Sequence, residues 1–248
     1  LKIAEDNQLA TGLVSTSSIL HATPASFIAN NKDRHNYSAL ALDFLKTDID
    51  VFIGGGKDYF ENREDDKNLT DSLKNKGYKV HYDMDEIQKV KEGKLAGLTA
   101  PNHNPKYSEG RGEMLPQSTS TAIDILDNNS NGFFLMVEGS QIDWGGHDND
   151  ADYIVNELLD FNSAVEVGMN YAREHKNTLV IVTADHECGG MALNDGSVEK
   201  HQIEPTFTTT DHTGVMVPVF AFGPGAENFR GIYENTDIFK KLNELYGF

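Results

Sequence analysis

Only one cysteine, Cys188, occurs in the 248 residues, so no disulfide can close within the chain and cysteine usage does not mark a redox compartment. No run of about 18 apolar residues exists, which excludes a membrane-spanning helix. Positive charge is scarce: 21 Lys+Arg stand against 39 Asp+Glu, a formal net charge of −18. A field of that sign repels phosphate polymers, so neither nucleic acid nor an anionic membrane is expected as a partner. An anionic substrate would have to be drawn in by a local site, and bound divalent cations would offset part of the acidic excess. The start, Leu1-Lys2-Ile3-Ala4-Glu5-Asp6, is neither an initiator methionine nor a signal peptide, so a chain processed or truncated at its front is expected. What is present fits a globular protein: 38% apolar residues, 22 Gly and 7 Pro, in a length suited to one large α/β domain or two small ones.

Short apolar runs at 12–16, 50–53, 78–81, 132–137, 177–183 and 217–222 read as buried strands. They are continuous rather than alternating, which suits a sheet covered on both faces. Helical patterns lie at 38–47, 118–127, 153–172 and from about Thr236 onward, with Thr236 as N-cap. In 153–172 the residues Ile154, Leu158, Phe161, Val165 and Met169 recur at helical spacing, predicting an apolar face. Strands alternating with helices predict an α/β three-layer sandwich with a mainly parallel sheet flanked by helices. Segments 61–68, 101–113 and 189–210 read as loops, the last as a small insertion over the active site.

Ligands gather at the carboxyl ends of strands in such sheets. There the unusual residues fall: Glu138-Gly139-Ser140-Gln141-Ile142-Asp143-Trp144-Gly145-Gly146-His147 after one strand, and Ala184-Asp185-His186-Glu187 after another. Asp211-His212-Thr213-Gly214 instead precedes the strand at 217–222. Aspartate and neutral histidine are ordinary zinc ligands, and a catalytic site takes about three from the protein. Asp143 and His147 are four apart, with two glycines between them that would let the backbone fold both toward one ion. Any one of these residues alone reads as a surface polar group or a helix cap; three clusters beside predicted strands favour metal binding. Asp148-Asn149-Asp150-Ala151-Asp152 does not make a calcium loop, since Tyr153 and Leu159 stand where that loop needs Gly and Glu.

The run 137–143 with His147 resembles the first metal segment of the alkaline phosphatase family. The runs 182–187 and 211–214 resemble its second and third, and Val14-Ser15-Thr16-Ser17-Ser18-Ile19-Leu20-His21-Ala22-Thr23-Pro24 resembles its magnesium segment. The motifs run in family order from about residue 12 to 225. The resemblance implies two Zn2+ and one Mg2+: Asp143, His147 and His212 for the first zinc, Asp185 and His186 for the second, and Thr23 and Glu138 for magnesium. Arg34 falls where the family clamps phosphate, a role its guanidinium fork suits; read alone, it is a solvated residue. His21 stands where some members have Asp, which places its imidazole beside the third metal's shell. Trp144 resembles a bacterial subgroup; packing and substrate contact are equally weighted for it.

The implied activity is hydrolysis of phosphate monoesters through a phosphoserine intermediate, with inorganic phosphate as product. The family's nucleophilic serine segment has no counterpart here, because Thr70-Asp71-Ser72 opens a short helix instead. The serine, and a carboxylate completing the second site, are therefore expected from an N-terminal segment of the same protein upstream of this chain, with little hydrolysis by the chain alone. The chain is expected to be the C-terminal portion of one alkaline phosphatase-like domain. The family also implies a periplasmic or secreted location and allows a homodimer. The rival readings are a related phosphodiesterase, against which the magnesium segment argues, and a non-catalytic metal- or phosphate-binding protein.

Overall fold

The structure is a computed structural model that describes residues 1–248, and it divides into two compact units, Leu1–Ser140 and Gln141–Phe248. The first unit contains α1 (Lys2–Asp6), β1 (Ala10–Ser18), α2 (Ala22–Ser26), α3 (Tyr37–Phe44), β2 (Val51–Gly55), α4 (Asp58–Glu61) and α5 (Leu69–Asn75). It continues through β3 (Tyr78–His81), α6 (Met84–Ile87), β4 (Lys94–Leu98), α7 (Met114–Leu126) and β5 (Phe133–Glu138). Its five strands form one sheet in the order β3-β4-β2-β1-β5, every pair parallel. The mainly parallel sheet flanked by helices is therefore present.

Strand β1 lies at the heart of this unit, with all nine residues buried. Beside it Phe44, Phe52 and Phe60 form an aromatic cluster with ring centroids 4.9–6.0 Å apart. All three are fully buried, each contributing about 1.5–3 kcal/mol through burial of apolar surface. Gly55, at the carboxyl end of β2, lets the segment after β4 cross closely. A methyl group there would stand 2.0 Å from the Asn102 carbonyl oxygen.

The second unit holds α8 (Gln141–His147), α9 (Ala151–Glu174), β6 (Val180–Thr183), β7 (Glu187–Cys188), β8 (Ala192–Ser197), β9 (Gln202–Thr206), β10 (His212–Thr213), β11 (Val219–Phe222) and α10 (Asp237–Tyr246). Its strands pair in three antiparallel couples: β6 with β11, β7 with β10, and β8 with β9. The acidic run after α8 caps a helix: Asp150 accepts a 3.0 Å hydrogen bond from the Tyr153 amide at the start of α9.

Three local expectations are corrected. Segment 189–210 is not a loop but contains the β8–β9 hairpin, whose paired backbone outweighs its polar composition. Segment 101–113 is the expected surface connection, anchored at Asn104 and Arg111, which are buried. Thr236 makes no side-chain cap, because its backbone is already helical. On α9 the buried residues are Tyr153, Glu157, Asp160, Ala164 and Ala172, whereas Leu158 and Leu159 are 50% and 58% exposed. Strand β4, Lys-Leu-Ala-Gly-Leu, escapes sequence reading because Lys, Ala and Gly have weak strand preference; pairing with β2 and β3 on its two edges decides it.

Phe52→Ala is expected to destabilise the first unit by about 3–5 kcal/mol. A urea unfolding curve followed by circular dichroism measures this; a loss below about 1 kcal/mol would mean that the cluster refills the cavity.

Candidate metal centre

In the second unit Asp143 and His147 lie on helix α8, four residues apart and so on one face. The helix, rather than a glycine-induced fold of loop backbone, aligns them; this corrects the expected role of the two glycines. Gly146 serves a different end. A methyl group there would stand 2.8 Å from the Cys188 Cβ and 2.9 Å from its carbonyl oxygen. Helix α8 therefore rests directly on β7. Across β7, Cys188 is paired with His212 of β10, and Glu187 with Thr213.

Three segments thus converge. His147 Nε2 stands 3.2 Å from His212 Nε2, 3.5 Å separates His147 Nε2 from Asp143 Oδ2, and 3.4 Å separates His212 Nε2 from Asp143 Oδ1. His147 Nδ1 donates to the Thr210 carbonyl at 2.6 Å, which leaves its Nε2 lone pair aimed at the cluster. His186 stacks on His212 with ring centroids 3.5 Å apart, and its Nδ1 lies 4.0 Å from Asp143 Oδ1. Asp185, 72% exposed, places Oδ2 3.2 Å from His186 Nε2. Glu187 is the brace: its carboxylate accepts from the amides of Gly190 and Met191 and from the Thr213 hydroxyl. Burial first, then a hydrogen bond to Asp143 and the charges of Asp143, Glu187 and Asp211, push the Cys188 thiol up to about 12.

These donors fit a metal ion. Asp143, His147, Cys188 and His212 each present a ligand atom, all within 4.8 Å of one another. Asp143 Oδ1 and His186 Nδ1 are buried with no hydrogen-bond partner, the condition that a cation would relieve. Trp144 is half-buried on the same helix, its carbonyl accepting from the Asp148 amide.

The remaining predicted residues belong to the first unit. Glu138 ends β5, and its Oε2 accepts from the hydroxyls of Ser15 and Ser140, each at 2.8 Å. Ser15, Ser17 and Ser140 also bond one another at 2.8–3.0 Å. Thr23 is half-buried in α2, which lies against β1 and β5. His21 precedes α2, and its ring meets His103 edge-on at 5.6 Å. His103 accepts the Ser18 amide at Nδ1, and burial holds its imidazole below the ordinary value. Arg34 is exposed, and its charge reaches the Tyr37 phenol. Sequence reading missed the serine network, Glu187 and any site role for Cys188. The hydroxyl-rich run Ser15-Thr16-Ser17-Ser18 was the available signal for the first.

Fold and donors together define a class: an α/β protein with a candidate histidine–carboxylate metal centre on its second unit. Comparison with known proteins narrows it. A family model described as alkaline phosphatase matches residues 1–203 and 192–247. Alkaline phosphatase 4 of Bacillus subtilis is 34% identical, over 98% of this chain and 69% of its own length. The 321 aligned positions exceed the 248 residues here, so that relative carries insertions within the matched region. The alkaline phosphatase of the Antarctic bacterium TAB5 superposes with a TM-score of 0.91 at 41% identity, over 99% of this chain and 74% of its own. A histidine-to-glutamate mutant of the TAB5 enzyme, with Mg bound in its M3 site, superposes with the same TM-score, 40% identity and the same coverage. The chain belongs to the alkaline phosphatase family.

Gly146→Ala is expected to push β7 away from α8 and weaken divalent-metal binding by about 10–100-fold, as loss of ligand support does. A chelator-competition titration reads this, with circular dichroism as a check on folding; unchanged affinity would mean that the helix–strand approach does not set the site.

Proposed function

We propose that this chain carries the metal-binding part of an enzyme that hydrolyses phosphate monoesters to inorganic phosphate, using two zinc ions and one magnesium. The observation that carries the reading is the convergence of Asp143, His147 and His212 from two remote segments, with His186 and Asp185 alongside. The first three hold the first zinc, and Asp185 and His186 belong to the second. Thr23 and Glu138 serve the magnesium, with His21 at the edge of its shell. When bound, such ions polarise phosphoryl oxygens and stabilise charge on the attacking and leaving oxygens.

The chain's own residues do the positioning. The Thr210 carbonyl holds His147 in one tautomer. Glu187 keeps the turn after β7 in place by accepting two amides, and holds β10 through Thr213. Ser15 and Ser140 both donate to Oε2 of Glu138, which fixes the orientation of that carboxylate. The resemblance assigns Arg34 to the phosphate, a role its guanidinium fork suits, and leaves packing and substrate contact equally weighted for Trp144. The family resemblance assigns the attacking serine to a segment outside these residues; Ser72 is set aside because it lies on a helix whose first-turn amides are capped by Asn68. Segment 189–210 is an insertion in the one alkaline phosphatase-like domain to which both units belong. A periplasmic or secreted location is part of this reading, as the family resemblance implies; no helix is long and apolar enough to cross a membrane.

The direct test is hydrolysis of an aryl phosphate by the complete enzyme, abolished by a chelator and restored by zinc with magnesium. Activity indifferent to chelation would overturn the reading.

His147→Ala is expected to lose the first zinc while the secondary structure persists, since one of three converging ligands is gone. Elemental analysis reads this, and wild-type metal content would refute the ligand assignment. Arg34→Ala in the complete enzyme is expected to weaken inhibition by inorganic phosphate and lower activity moderately, because the metals supply most of the charge stabilisation. An unchanged inhibition constant would show that Arg34 faces solvent.

A further inference from the structure

Cys188 has no role in that scheme, yet it stands among the residues assigned to the first metal. Two features put it there. Its strand partner is His212, and side chains of directly paired residues stand on the same face, about 4.5–5.5 Å apart at Cβ. From the other side Gly146, lacking a Cβ, lets α8 rest on Cys188, and one residue further along that helix is His147. The sulfur accordingly lies within 4.8 Å of the ligand atoms of Asp143, His147 and His212, which lie within the same distance of one another. Asp143 Oδ1, in the same cluster, is buried without a hydrogen-bond partner.

We propose that the Cys188 thiolate is a fourth protein ligand of the first metal site, giving a donor set of one cysteine, two histidines and one aspartate. The inference rests on the reading of Asp143, His147 and His212 as ligands and adds one donor to it. The thiol proton is released to solvent as the metal binds. Three protein ligands with an open position mark a catalytic zinc, whereas four mark a closed one. With four donors from the protein, a bound zinc would have to expand to five-coordinate to take an oxygen of the substrate as well. A soft donor also biases the site toward zinc and cadmium and away from magnesium and manganese.

The test is a titration of the reduced 248-residue chain with cobalt(II). A thiolate–cobalt bond produces strong near-ultraviolet charge-transfer absorption, whereas nitrogen and oxygen ligands alone give only visible bands. Because the chain has one cysteine, any such absorption belongs to Cys188. The expected result is a near-ultraviolet band in the wild type, its absence in Cys188→Ser, and visible bands in both. Zinc affinity of the variant should fall by more than the roughly 10–100-fold that loss of an outer-shell partner costs. Cys188→Ala provides the same comparison should the serine variant fold poorly, with circular dichroism as the check. Visible bands without the near-ultraviolet band in the wild type would overturn thiolate ligation and leave the three-ligand site standing. No cobalt binding by the wild type would overturn the metal site and the proposal together.

Discussion

The candidate metal centre depends on one close approach, the contact between Gly146 of α8 and Cys188 of β7. Any side chain at Gly146 would drive the helix off the strand, because its Cβ would meet the Cys188 Cβ at 2.8 Å and the carbonyl oxygen at 2.9 Å. With that contact in place, the four-residue spacing of Asp143 and His147 delivers both side chains to the face where β7 and β10 meet. The two-residue pairing of β7 with β10 then brings His212 alongside. A pairing so short has little stability of its own. Glu187 reinforces it by accepting the Thr213 hydroxyl across the strands and two amides of the following turn.

A second constraint governs the first unit. Strand β1 is buried along its whole length, yet Thr11, Ser15, Thr16, Ser17 and Ser18 are polar. A buried hydroxyl left without a partner costs about 1–3 kcal/mol, so these groups must find one another. They do: the Thr16 hydroxyl accepts the Ser140 amide, and Ser15 and Ser140 converge on Glu138. The strand is thus apolar where it crosses the core and hydroxyl-lined where it reaches the carboxyl edge. That gradient sets Glu138 in a defined orientation, which suits a carboxylate assigned to a metal.

The strand runs at 78–81 and 132–137 were legible in the sequence because their aromatic and β-branched residues favour a pleated, half-buried backbone. Strand β4 was not, since its two neighbours hold it rather than its own composition. Helix α9 shows a different limit. Its periodicity is real, but periodicity reports only that one face is apolar. Which stripe becomes buried depends on what packs against it, and Glu157 and Asp160 are buried while Leu158 is half-exposed. The β8–β9 hairpin lacks a strong signal because its residues are mostly solvent-facing; backbone pairing and the Asn194–Thr206 hydrogen bond across it define it.

By itself the sequence determined the chemistry available: Asp143, His147, Asp185, His186 and His212 are donors of the types that zinc accepts, in segments that resemble one family in order. It also determined the acidic charge and the alternation of strands with helices. Only the tertiary structure decided which of those donors face one point, because distances between remote segments follow from packing and strand register rather than from spacing along the chain. For the same reason only the structure brought Cys188 to the centre. In the sequence it is a lone thiol; across a two-residue strand pairing it is the neighbour of His212.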